Sequence, residues 1–474
     1  MLARIVVFSA CLAGAGFTAE SARAQSPAPK CESPPVSAPR GVLPRSRGVP
    51  AGRHEPGIRE IEEILRRPAR TPLDHFNRGV VHEKLGQYAS AIRDYTGAIA
   101  LDPCMAMAYE RRGAAYAGVG QFERALIEVE EALRIDPGAS AAYANRGAIF
   151  EATDRNRLAI DDFSRAIALD PEDGAWYVRR GRAYERSGEW GNAIDDYAEA
   201  IRIDPRDARA FLLRAGAFTR QGRFDRAIED LDQAIGLDPR DARGHQNRAA
   251  VHAAMGNDQL ATRDYTEAIR LDPRSAIAYA GRGDAHARQG LIERAISDFT
   301  EAIRLTPGNA YPYYGRARSF ARLGDARRAI DDFSEAIVRR SDFAPAYRGR
   351  AMAYRLLREP ARAVADFNAA VRLDPDDALS ANDLAWMLAA SPAAELRDGS
   401  RAIGLAHAAC EKSDWKNPFF IDTYAAALAE AGRFDDAIRW QERALEFPAF
   451  AQAQAAPARE RLHLYREHRP FRAP

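Results

Sequence analysis

The sequence predicts an all-α solenoid of about eleven stacked helix-turn-helix repeats, and three periodic observations carry that expectation. Proline, usually after aspartate, returns every 34 residues at Pro103, Pro137, Pro171, Pro205, Pro239, Pro273 and Pro307 and, past Ser341, at Pro375. In the same phase alanine recurs without exception, from Ala91, Ala125 and Ala159 to Ala329 and Ala363. A third series places arginine at 78, 112, 146, 180, 214, 248, 282, 316 and 350, each followed sixteen residues later by an acid, from Asp94 and Glu128 to Asp366. Thirty-four residues make one two-helix unit that buries its apolar face only against its neighbours, so the array is a surface built for binding.

The elements follow in order. Residues 1–24 read as a secretory signal: Arg4, an apolar run from Ile5 to Phe17, then Ala22-Arg23-Ala24 before Gln25. Thirteen apolar residues are too few to span a bilayer, so no transmembrane segment is expected after cleavage near Ala24; an uncleaved anchor is the alternative. Residues 25–56 are proline-rich, with too few apolar groups for a core, which predicts an extended, disordered linker. In residues 57–71, Ile58, Ile61, Ile64 and Leu65 recur at helical spacing and predict a helix that caps the first repeat.

Residues 72–377 hold nine regular repeats. Each first helix carries a small residue, such as Gly79, Gly113, Gly147, Gly181 or Gly283, and its expected close neighbour is the alanine series of the second helix. Glycine usually turns the chain between the helices, with Asp154 and Arg358 as exceptions, while Asp173, Asp207, Asp241, Ser275, Asn309 and Asp377 are placed to cap first helices. The arginine–acid series predicts ion pairs between packed helices, because a matched acid in every repeat argues against a ladder of ligand-binding arginines.

Residues 378–450 hold two divergent repeats. The tenth, 378–417, is lengthened around Pro392 to Asp398, and the eleventh, 418–450, regains the spacing with Ala425, Gly432, Ala437 and Ala444. Residues 451–474 predict a helix near 456–467 and a tail, with arginines and glutamates on the solvent side of a cap.

In the fourth repeat Tyr177, Arg180, Gly181, Tyr184, Gly188, Ala193, Tyr197, Ala200 and Pro205 closely resemble the tetratricopeptide signature. Leu384-Ala385-Trp386, Arg397-Asp398-Gly399, Trp415 to Pro418, Ile421-Asp422-Thr423 and Ala431 to Asp435 resemble an ending that recurs in many bacterial members. The resemblance implies a right-handed superhelix whose first helices line a concave groove for a protein or peptide partner. The family's lysine–asparagine clamp is incomplete here: Asn77, Asn145 and Asn247 stand in comparable places, but lysine is nearly absent from the first helices.

The formal net charge is +1 with both signs interspersed, and no basic block tracks a phosphate backbone, so a nucleic-acid partner is not expected. Lysine occurs only at Lys30, Lys84, Lys412 and Lys416; arginine in its place and abundant alanine are associated with a GC-rich bacterial genome. No P-loop, G-x-S-x-G, H-E-x-x-H or dinucleotide fingerprint is present, so neither catalysis nor a cofactor is expected. His407, Asp414 and Asp422 are the polar residues an enzyme concealed in the divergent repeats would have to use. His75 with His82, and His245 with His252, lie seven apart; sister repeats carry tyrosine pairs there, which favours packed core side chains over metal ligands. Arg282-Gly283-Asp284 spells an adhesion tripeptide inside framework positions. Cys31 can join Cys104 if the chain is exported, yet neither belongs to a disulfide framework, so unpaired thiols are expected.

If binding is the function, its residues are those the repeats do not share. Arg179, Arg182 and Arg186 in the fourth repeat, Tyr311, Tyr314, Arg318 and Arg322 in the eighth, and Arg348 and Arg355 in the ninth are the candidates. Arginine with tyrosine is enriched in hot spots, and forked guanidinium groups suit carboxylates. They suggest a groove for an extended, acidic partner segment; a solvated arginine-rich face is the alternative. The protein is expected to be a periplasmic or secreted adaptor, with a structural subunit of a cell-envelope complex as the second reading.

Overall fold

The computed structural model describes residues 64–66 and 68–473. The expected signal, the linker and most of the capping segment lie outside the described residues. The chain divides into two compact bodies, one ending at Glu189 and the other beginning at Trp190. Each body is a stack of antiparallel helix pairs, and no strand occurs among the described residues. The first body holds repeats one to three and the first helix of repeat four, Gly174–Arg186; the second runs from Trp190–Ile203 to the last helix, Pro448–Arg466.

First helices of the regular repeats span 13 residues and second helices 14, as in Pro72–Lys84 with Tyr88–Leu101 and Ala310–Arg322 with Ala326–Arg339. Their limits follow from local chemistry. Asp173, Asp207, Asp241, Ser275, Asn309 and Asp377 each accept a hydrogen bond from a backbone N–H in the first turn they precede. At the turns Gly86 to Gly324 have φ between 71° and 80°, and Asp154 (58°) and Arg358 (60°) adopt the same left-handed conformation without glycine's freedom.

The alanine series from Ala91 to Ala363 is wholly buried, 0% exposed at every position, as its regularity predicts. The close neighbour of the glycines is a different residue. A Cβ added to Gly79 would stand 2.7 Å from the Tyr95 ring, to Gly147 2.9 Å from Phe163, and to Gly283 3.1 Å from Phe299; at Gly113 it would meet Val129 at 2.7 Å, with the Ala125 carbonyl oxygen next at 3.1 Å. The expectation of glycine against alanine is corrected accordingly. One turn beyond each alanine lies a larger side chain, an aromatic ring at Tyr95, Phe163 and Phe299 and a valine at Val129, and it needs the space a missing methyl leaves. A second glycine set does the same between repeats: a Cβ on Gly315 would meet the Phe299 ring of the preceding repeat at 2.5 Å.

The arginine–acid series forms the expected ion pairs. Arg146, Arg214, Arg248, Arg282, Arg316 and Arg350 grip Asp162, Asp230, Asp264, Asp298, Asp332 and Asp366 through two nitrogens at 2.7–3.0 Å. Glu128 accepts from Arg112 through one nitrogen only, and the Arg112 Nε has no acceptor. The third nitrogen often reaches back sixteen residues to the preceding repeat: Arg112 to Thr96, Arg180 to Ser164, Arg282 to Thr266, Arg316 to Thr300 and Arg350 to Ser334, at 2.9–3.2 Å. One side chain thus joins three helices.

Repeat ten keeps its two helices, Ala378–Ala390 and Gly399–Lys412, around a short turn at Ala394–Leu396; repeat eleven comprises Pro418–Glu430 and Phe434–Leu445. The last helix begins at Pro448 rather than near 456, because proline suits a first helical position. It bends at Gln454, just before Pro457, whose ring and missing N–H interrupt the ladder. Its arginines are not all on the solvent side, as expected above. Arg461 is 5% exposed and donates from Nε and Nη2 to Asp422 Oδ1 at 3.0 and 2.8 Å, and Gln441 donates to the same oxygen at 2.7 Å. Burial there raises the Asp422 pKa, against the opposing charge of Arg461. Cys104 is disulfide-bonded, which corrects the expectation of unpaired thiols; its partner lies outside the described residues. Cys104 stands at the turn between the first and second repeats. Cys410 is buried and free.

Candidate functional site

The first helices carry the candidate residues in both bodies. In the first body, Arg179 and Arg186 are exposed and Arg182 partly so. Arg186 donates to the Glu151 carbonyl at 3.0 Å and pairs with its carboxylate at 3.3 Å, with Arg182 at 4.0 Å from that carboxylate. Glu151 is itself 8% exposed. The same body repeats the device in Arg111 with Glu83 at 3.4 Å and Asn145 with Glu110 at 2.9 Å.

In the second body, Tyr311 donates its hydroxyl to Asp284 at 2.6 Å and Tyr314 packs between Phe333 and Phe343, ring centroids 5.9 and 4.9 Å away. The Arg318 guanidinium lies 5.6 Å from the Tyr314 ring centre. Arg322 donates to the Ala287 carbonyl, and Arg348 to Asp383 at 3.0 Å. Burial raises the pKa of Asp284 and of Asp383; the hydroxyl of Tyr311 works against the first shift, and the charges of Arg348 and Arg355 against the second. Arg318 and Arg355 are exposed and donate no hydrogen bond to another described residue. The structure thus separates the candidates: Arg186, Arg322 and Arg348 are engaged by neighbouring repeats, whereas Arg318 and Arg355 donate to no described residue.

A feature absent from the sequence reading runs beside them. The second residue of five successive first helices is apolar: Ile277, Tyr311, Pro345, Leu379 and Phe419. All five are exposed, Ile277 at 68% and Phe419 at 51%. From Ile277 to Leu379 the column keeps the 34-residue period, and at Phe419 it follows the lengthened tenth repeat. The acids at 83, 110, 151, 284 and 383 also lack a periodic mark, since they face arginine, asparagine or tyrosine side chains of a neighbouring repeat.

The residues an enzyme would need have separate partners. His407 packs edge-on against Trp415 and Tyr424, Asp414 pairs with Lys416, and Asp422 is committed to Arg461 and Gln441. The paired histidines face ladder acids: His75 and His82 lie 3.6 and 3.5 Å from Asp94, and His245 and His252 lie 3.7 and 3.9 Å from Asp264. Among the described residues no group of three metal-binding side chains is present, and no helix is long and apolar enough to cross a membrane. In Arg282-Gly283-Asp284 the arginine holds Asp298 and the aspartate holds Tyr311.

Residues 76–140, 145–208, 179–242, 247–310 and 314–378 match the tetratricopeptide repeat model. No curated protein matches the chain. Among solved structures, a tetratricopeptide repeat protein from Parabacteroides merdae ATCC 43184 is 20% identical, with 52% of this chain and 98% of that one covered and a TM-score of 0.44. Cut9–Hcn1 of the APC/C is 16% identical over 75% of this chain and 76% of that one, TM-score 0.46. Yeast Tom70 is 17% identical over 84% of this chain and 96% of that one, TM-score 0.41.

Proposed function

The chain belongs to the tetratricopeptide repeat family, whose repeats mediate protein–protein interactions, and from that premise we propose that it is an exported bacterial adaptor. Its partner presents an extended acidic segment to the first helices of repeats seven to nine. The observation that carries this reading is the exposed apolar column, Ile277, Tyr311 and Pro345, on the first helices that also carry Arg318 and Arg355, whose guanidiniums donate to no described residue. Exposed apolar side chains next to arginine and tyrosine have the composition of a binding hot spot, and a guanidinium whose N–H groups are not used by described residues offers a fork for a carboxylate.

The repeat also sets the ligand's rhythm. Packed helices lie about 8–10 Å apart and an extended strand advances about 3.3 Å per residue, so a segment crossing them meets one helix roughly every third residue. An apolar residue at about every third position with acids between them is the matching pattern. Export is supported by the signal-like residues 1–24 and by the disulfide at Cys104, since disulfides persist in oxidising compartments.

The test is fluorescence anisotropy with a labelled peptide of leucine at every third residue and glutamate between. The wild-type protein should bind it, and Arg318→Ala with Arg355→Ala should weaken binding about 10-fold or more, while a lysine-for-glutamate peptide should not bind. Equal affinity of the double variant would remove these arginines from the site.

A further inference from the structure

The first-helix face changes character after repeat nine. Trp386 stands two periods after Arg318, and Ala390 two periods after Arg322, so both lie on the face that carries the candidate arginines. Arg322, Ala390 and Glu430 are each the last residue of their first helix. In repeats ten and eleven that face offers an indole, backbone carbonyls and a carboxylate instead of guanidiniums.

The chain's own end lies across it. The last helix stops at Arg466, and the chain then crosses to the tenth repeat. The Phe471 ring packs 5.9 Å from Trp386, with the Arg461 guanidinium 5.5 Å from each of the two rings. Arg472 pairs with Glu430 at 2.5 Å and directs Nη1 to the Ala389 carbonyl at 3.5 Å, and the Ala473 N–H donates to the Ala390 carbonyl at 2.8 Å. Those carbonyls close the helix Ala378–Ala390 and have no partner within it, and the helix end carries partial negative charge. Both features attract a cationic, extended segment. Glu430 also holds Arg397 at 3.0 Å, which fixes its carboxylate in place.

We propose that repeats ten and eleven form a second peptide-binding slot, selective for an aromatic residue followed by arginine, and that residues 469–473 fill it as an intramolecular ligand. The specificity is opposite in charge to that of repeats seven to nine and does not depend on it. An outside segment of the same pattern enters by displacing the tail. Its apparent affinity is therefore reduced by the fraction of molecules in which the slot is free.

The experiment uses the full chain carrying Phe471→Ala and Arg472→Ala and a labelled peptide of residues 467–473. The peptide should bind this variant at least about 10-fold more tightly than wild type, and adding Glu430→Gln should reverse most of the gain. Thermal melting by circular dichroism checks that the variants fold; if the double variant is unstable, Arg472→Ala alone must show the same ranking. No binding to the opened variants, equal binding to wild type, or indifference to Glu430→Gln would each overturn the proposal.

Discussion

The ion-pair ladder makes a prediction that separates packing from surface charge. Arg316 donates to Asp332 at 2.7 and 2.8 Å and to Thr300 at 3.0 Å, and Asp332 is 6% exposed. Replacing Arg316 by methionine keeps most of the apolar stem and leaves the carboxylate buried without its cation. Breaking a buried pair in this way costs about 3–5 kcal/mol, whereas replacing both partners by apolar residues of similar volume is near neutral. Arg316→Met should therefore be strongly destabilising, and Arg316→Met with Asp332→Leu should recover to within about 1 kcal/mol of wild type. The assay is urea unfolding followed by helical circular dichroism, with amide exchange in residues 310–339 to confirm where the loss falls. A cost below about 1 kcal/mol for the single variant, the range of exposed pairs, would refute the claim that the ladder is desolvated packing.

Two further outcomes follow from the same structure. Gly315→Ala should destabilise by about 1–3 kcal/mol through overpacking on the Phe299 ring, while Gly308→Ala, where an added Cβ meets nothing within 4 Å, should leave the urea midpoint nearly unchanged. Burial holds the His252 imidazole below the ordinary histidine value despite Asp264 3.9 Å away. The unfolded chain then takes up that proton before the folded one, so stability is full above the unfolded value of 6.5 and falls as pH drops toward the folded value. His252→Tyr, the residue sister repeats carry there, should flatten the loss of Tm between about pH 7 and pH 5.5; parallel curves would contradict it.

Most of the fold was legible because its determinants recur. A contact made inside one repeat leaves two marks at constant separation, and nine copies make the separation visible, as with Arg146 and Asp162 or the capping Asp173 and Asp207. The glycine neighbours were misassigned for a related reason. Alanine and the large residue one turn later share the period, so spacing cannot decide which of them presses on Gly147; side-chain volume does, and it points to Phe163.

The site was less legible because it depends on contacts that do not recur. Arg348 finds Asp383 thirty-five residues on, yet Arg355, seven residues further along the same helix, donates to no described residue, and nothing in the periodic pattern distinguishes them. Similarly, Asp422 looked like a free polar group until the last helix placed Arg461 against it, a pairing thirty-nine residues apart and present once. The same property governs function. A periodic residue has its neighbours already supplied by the array, so it is committed to the stack, and only where the period is broken is a side chain left for something else. Ligand recognition should therefore concentrate where charge or apolarity departs from the consensus: at Ile277, Arg318 and Arg355, and again at Trp386 and Glu430, where the chain's own tail already makes the contact.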